Sequence, residues 1–146
     1  MSKMNYGSPS VVETGRHLLV APWVRWVGLL GLCAAYLQGG IDKAMDFNLA
    51  IEEMKHFGLS PAGPLAVVVL VLEIGGSIMI LAGFYRWLAA GALGGFTLIA
   101  TFVASRYWDL PPSPERFMTE NSFFEHLGLV GGFLLVAWHD LRRIDD

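Results

Sequence analysis

The chain carries little charge for its length. Of its 146 residues only 16% are Asp, Glu, Lys or Arg, where a soluble domain carries about a quarter. The deficit is concentrated in four apolar segments, and the charges collect between them. A formal net charge of −3, dispersed along the sequence, leaves no basic surface of the kind a nucleic-acid partner needs. Cysteine is nearly absent. The single thiol, Cys33, excludes an internal disulfide or a Cys-x-x-Cys redox pair within this chain, and its place inside the first apolar segment reads as core packing. Histidine is sparse too: no two of His17, His56, His126 and His139 have helical ligand spacing at one depth, so neither a bis-histidine haem nor a metal centre is expected. There is no glycine-rich phosphate loop and no nucleophile elbow, and no flavin is indicated. The first 21 residues are mixed polar, unlike a cleavable leader, and no small-residue cleavage site follows the first apolar segment, which is expected to be retained.

What the chain has in abundance is apolar length, with 54% hydrophobic residues and 17 glycines. An apolar helix of about 20 residues crosses a hydrocarbon core about 30 Å thick. Apolar length and flanking punctuation predict four such helices, over residues 22–40, 64–84, 86–105 and 122–138. Pro22 opens the first and Gly39-Gly40 falls near its expected end. Trp23, Trp26, Tyr85, Trp87, Tyr107, Trp108 and Trp138 lie near segment ends, as interfacial anchors do. The expected fold class is therefore all-α: a polytopic integral membrane protein with a four-transmembrane-helix bundle at 22–139. A tail at 1–21 precedes it and a tail at 140–146 follows.

Between the first two spans, Phe47, Ala50, Ile51, Met54 and Phe57 recur at helical spacing opposite Asn48, Glu52, Glu53 and Lys55. This predicts a short amphipathic helix on the membrane surface, ending before Gly58. The second outer loop, residues 110–121, is proline-rich and reads as irregular. Small-residue pairs at Gly91/Gly95 and Gly128/Gly132 predict close helix contacts. Lys3, Arg16, Arg25, Arg86, Arg142 and Arg143 fall on one side of this topology; Lys43, Lys55, Arg106 and Arg116 fall on the other. The excess places both termini in the cytoplasm.

Few polar groups remain at membrane depth. Glu73 is the only charged residue between positions 65 and 84, close to the bilayer midplane, where a carboxylate costs several kcal/mol unless protonated, paired or facing a wet cavity. Gln38, Asp42 and Lys43 lie at the outer end of the first helix; Glu125 and His126 lie about one turn into the fourth. Gln38 is expected to be the better-placed hydrogen-bond partner for Glu73, because Lys43 reaches it only by folding inward. Glu73 and His126 are the candidates for proton transfer or head-group binding, and Gln38, Asp42, Lys43 and Glu125 are candidate binding residues. The plainer alternative is interhelical hydrogen bonding and snorkelling alone.

Three stretches resemble the DoxX family. LGLCAAYLQGGIDKAMDF, with Gly40 and Lys43, resembles its first-helix pattern. LEIGGSIMILAGFYRWLAAGAL, with Glu73, Gly75, Gly76, Gly83 and Arg86, resembles its Glu-Gly-Gly signature. HLGLVGGFLLVA resembles its last helix, with His126 standing where the family often has Asn. The resemblance covers nearly all of residues 25–137. It implies a four-helix protein of the bacterial inner membrane, linked to redox systems, with quinone as the ligand and a membrane or soluble redox protein as partner. Two readings follow: a quinone-linked subunit that binds the head group in the outer half, or a non-catalytic accessory subunit of a larger respiratory or photosynthetic complex.

Overall fold

The computed structural model describes residues 10–145, and every regular element in it is a helix. Lys3 and most of the expected first tail, with Asp146 at the other end, lie outside the described residues. The helices are α1 (Val11–Leu19), α2 (Pro22–Met45), α3 (Phe47–His56), α4 (Ala62–Ala82), α5 (Arg86–Ala104) and α6 (Pro114–Asp145). Three stretches are long and apolar enough to cross a membrane: Pro22–Met45, Ala62–Ala82 and Arg86–Asp109, the last joining α5 to a single 3₁₀ turn at Tyr107–Asp109. With α6 laid along α5, these make an all-α membrane protein.

Residues 11–19, expected as tail, form a helix because Ser10 and Glu13 close a capping box: the Ser10 hydroxyl accepts from Glu13 N–H at 3.2 Å, and Glu13 accepts from Ser10 N–H at 2.9 Å. Val11, Val12, Leu18 and Leu19 form one apolar stripe of α1, and all four are exposed. The first long helix does not stop at Gly39-Gly40. It runs on to Met45, because those glycines are contact points: a Cβ on Gly40 would lie 2.6 Å from Ile74 Cγ1 of α4. The same device recurs where Gly76 meets Leu93, Gly94 meets Phe133 and Gly132 meets Leu32. Gly91, Gly95 and Gly128, three of the four glycines in the expected pairs, have nothing within 4 Å of a Cβ and face outward.

Asp46 leaves helical geometry and caps the next helix, accepting from Asn48 N–H at 3.1 Å. The amphipathic helix that follows matches its expected extent, but its apolar face is turned inward. Ala50 and Met54 are buried with Ala66 of α4, so protein rather than lipid covers the stripe. The last helix begins at Pro114, well before 122. Ser113 accepts from Arg116 N–H at 3.1 Å and Pro114 takes the first helical position, where its missing N–H costs nothing. The irregular loop is therefore shorter than expected, and α6 continues through the expected second tail to Asp145.

α4 and α5 are joined by a tight turn. Gly83, left-handed at φ 81°, ends α4, with Gly83 and Phe84 N–H groups both donating to Met79 O. Tyr85 is also left-handed at φ 44°, a strained setting for a side-chain-bearing residue. Arg86 steadies it, donating from Nε to Ile80 O at 2.7 Å. Asp140 of α6 closes the assembly: it accepts from Trp87 N–H at 3.1 Å and pairs with Arg86 at 3.5 Å, capping α5 from a different helix. Asp140→Ala is expected to cost roughly 1–2 kcal/mol, since a cap and a half-buried ion pair are lost together. Thermal unfolding in detergent is the check, and an unchanged midpoint would refute the capping role.

Candidate functional site

The buried face of α2 is set by Leu29, Cys33, Tyr36 and Gly40, spaced alternately four and three residues apart. One step further on that stripe is Lys43. On α4 the buried face carries Ala66, Glu73, Gly76, Ser77 and Ile80; on α5 it carries Thr97 and Thr101. The Gly40–Ile74 contact brings α2 and α4 close enough for the Lys43 side chain to fold down the groove. Lys43 Nζ donates to both oxygens of Glu73, at 2.9 and 3.1 Å. It also lies 3.4 Å from Glu53 Oε2, supplied by α3.

Glu73 is 6% exposed, so the neighbouring ammonium is what makes a charge there tolerable. Lys43, not Gln38, is the partner. Gln38 is exposed and donates to Asp42, itself exposed, in a local pair on the far side of α2. Glu125 also points outward. Of the residues expected from sequence, the structure brings together Lys43, Glu73 and His126; Gln38, Asp42 and Glu125 stand apart from them.

Those three line one cavity of about 370 Å³ between α2, α3, α4, α5 and α6. Its polar wall adds Glu53, Tyr36 and Thr97. The Tyr36 hydroxyl and Thr97 Oγ1 are 2.5 Å apart and buried, and Thr97 Oγ1 also donates to Leu93 O at 2.7 Å. Phe133 packs its ring edge-on to Tyr36, with centroids 5.3 Å apart, and holds the phenol in place. The remaining wall is apolar, with Met54, Phe57, Phe96, Val103 and Leu129 among its residues.

His126 sits deeper along its helix than expected. With α6 starting at Pro114 it is more than three turns in. Its Nδ1 is buried and has no hydrogen-bond partner among the described residues. A buried polar atom left unpaired costs on the order of 1–3 kcal/mol unless something outside the fold completes it. On the wall of one cavity, then, are a lysine shared by two carboxylates, a phenol–hydroxyl pair and an unpaired imidazole nitrogen. Such a set can hold a neutral ring with polar oxygens and can take up or release a proton beside it.

Sequence reasoning passed over Tyr36, Thr97 and Glu53. The signal for Tyr36 was its position seven residues before Lys43 on one helix face; Glu53 was read only as part of a solvated face.

The family model described as DoxX matches residues 27–106. That stretch includes Tyr36, Lys43, Glu53, Glu73 and Thr97 and stops short of His126. Inner membrane protein YphA of Escherichia coli (strain K12) is 23% identical over 116 residues, covering 80% of this chain and 82% of that protein. No solved structure matches the chain.

Proposed function

The chain belongs to the DoxX family, and from that premise we propose that it is an inner-membrane subunit of a quinone-linked redox system whose cavity takes the quinone head group. The observation that carries this reading is the buried, unpaired Nδ1 of His126 at a cavity that the Lys43–Glu73 pair also lines. A volume of about 370 Å³ lies at the lower end of small-molecule sites, in keeping with a single ring. The mostly apolar wall suits the substituents such a ring carries.

In this reading a bound quinone or quinol supplies the two-electron chemistry, and a partner redox protein exchanges the electrons. The chain's own residues manage hydrogen bonds and protons. Lys43 holds Glu73 in place and offsets its charge. Glu73 accepts a proton from the cavity or returns one to it, and Glu53 at the rim connects Lys43 with the outer surface. His126 completes its hydrogen bonding on the head group, and the Tyr36–Thr97 pair presents a hydroxyl set rigidly by Phe133. In the same proposal α6 is the fourth crossing and both termini are cytoplasmic, which puts the cavity in the outer half of the bilayer.

Purification in a gentle detergent from the native membrane, followed by quantitative quinone extraction, tests this. The wild type should retain about one quinone per chain, while His126→Leu and Glu73→Gln lose about tenfold or more, the worth of one good hydrogen bond in a dry site, with elution volume unchanged. A wild type that carries no quinone but copurifies with a large membrane complex would favour the accessory-subunit reading. The outward-facing, uncovered Gly91 and Gly95 of α5 are the observation that keeps that second reading in play.

A further inference from the structure

A second cavity, of about 270 Å³, lies at the opposite end of the bundle, where α2 begins, α6 ends and the α4–α5 turn sits. Arg25 of α2, Arg86 of α5, and His139 and Asp140 of α6 line it. Its charges do not balance. Asp140 is already engaged, accepting from Trp87 N–H and paired with Arg86. Arg25 makes no ion pair among the described residues. Arg86 and Arg143 are both close enough to repel it. Two guanidinium groups, with Arg143 nearby as a third, thus share the one carboxylate of a concave site at the end of the bundle.

We infer that this cavity binds a phosphate-bearing anion, held between the Arg25 and Arg86 guanidinium groups, with His139 beside it. Guanidinium forks match phosphate oxygens in geometry as well as charge. Two sources share that chemistry: the head group of an anionic phospholipid and free phosphate. The rest of the wall favours the lipid. Leu29 is buried at the base, Val136 is half-buried, and Leu135 is 67% exposed on the outer surface of α6, so an apolar trough leads away from the basic end along the helix. Basic pockets between membrane helices are where anionic head groups lodge. The site combines Arg86, inside the stretch that the family model matches, with Arg25, His139 and Asp140 outside it. It does not depend on what the first cavity holds.

The test uses the full chain, delipidated in mild detergent, with native mass spectrometry after adding phosphatidylglycerol or phosphatidylcholine of matched chain length. The wild type should carry one phosphatidylglycerol in preference to phosphatidylcholine. Arg25→Gln should weaken that adduct by about fivefold, the worth of one cation near a head group, while Arg25→Lys retains most of it. Arg106→Gln, which removes an exposed charge at the other end, should leave it unchanged. Inorganic phosphate is the second arm: if it raises the melting temperature of the wild type but not of Arg25→Gln, and displaces the lipid adduct, the anion is drawn from solution. If phosphate does neither while the adduct depends on Arg25, the source is the lipid. An adduct that survives Arg25→Gln at full strength, with no phosphate effect, overturns the inference, as does equal weakening by Arg106→Gln.

Discussion

Lys43→Met is expected to destabilise the folded bundle by about 3 kcal/mol, because it leaves a buried carboxylate without its cation. The reference is Glu73, bonded by both oxygens to one ammonium and only 6% exposed. Two escapes limit the cost. Water entering through the cavity can solvate the carboxylate, or the carboxyl can take a proton, which at neutral pH costs about 3–4 kcal/mol from an ordinary carboxylate value. The loss cannot much exceed the cheaper escape. Lys43→Met combined with Glu73→Gln should recover most of it, since no buried charge then remains. The check is thermal unfolding of the two single variants and the double in one detergent. If the double is as unstable as the sum of the singles, the pair is not coupled and the ion bond is not what holds α2 to α4.

Gly40→Leu is expected to cost about 3 kcal/mol and Gly40→Ala about 1 kcal/mol, both by overpacking. The sign is the informative part. Alanine ordinarily favours a helix over glycine by about 1 kcal/mol, so an unobstructed glycine should be neutral or gain. Gly91, with nothing within 4 Å, is that control. At Gly40 the added Cβ meets Ile74 Cγ1 at 2.6 Å, near the root of a branched side chain that cannot swing aside. α2 must then stand off from α4, and the Lys43 side chain is drawn away from Glu73. A Gly40→Ala variant as stable as wild type, or more so, would contradict the packing described.

Much of this was legible in the sequence. Apolar length announces four membrane helices, of which three are long and apolar enough among the described residues to cross on that ground alone, and the period of Phe47, Ala50 and Met54 announces the short one after the first. From sequence alone the glycine pair at 39–40 reads as a stop, which is why Gln38 rather than Lys43 looks like the partner of Glu73. Taken as a contact, it extends α2 to Met45 and puts Lys43 on the same stripe as Tyr36. That stripe held the remaining signal. Polar residues at buried spacing (Tyr36, Lys43, Glu73, Thr97) converge, whereas Gln38, Asp42 and Glu125, equally polar and close in sequence, fall on other faces. Depth along the chain does not separate the two groups, whereas angle around the helix does. His126 lies farther along its helix than apolar length suggests, because the Ser113-Pro114 start falls in a stretch too polar to count as membrane helix. That its nitrogen would be left unpaired depends on the other helices, which no local pattern records.

The three-residue turn between α4 and α5 also bears on how the protein reaches its place. Gly83, Phe84 and Tyr85 leave no slack, so α4 and α5 are held side by side as soon as both are made. Joined so closely, the two are expected to enter as one hairpin with Arg86 at its bend. Glu73 therefore travels into the hydrocarbon with its own hairpin, and the helix that supplies Lys43 has already been synthesised before it. The cation precedes the anion during biogenesis, and the carboxylate has a partner waiting when it arrives.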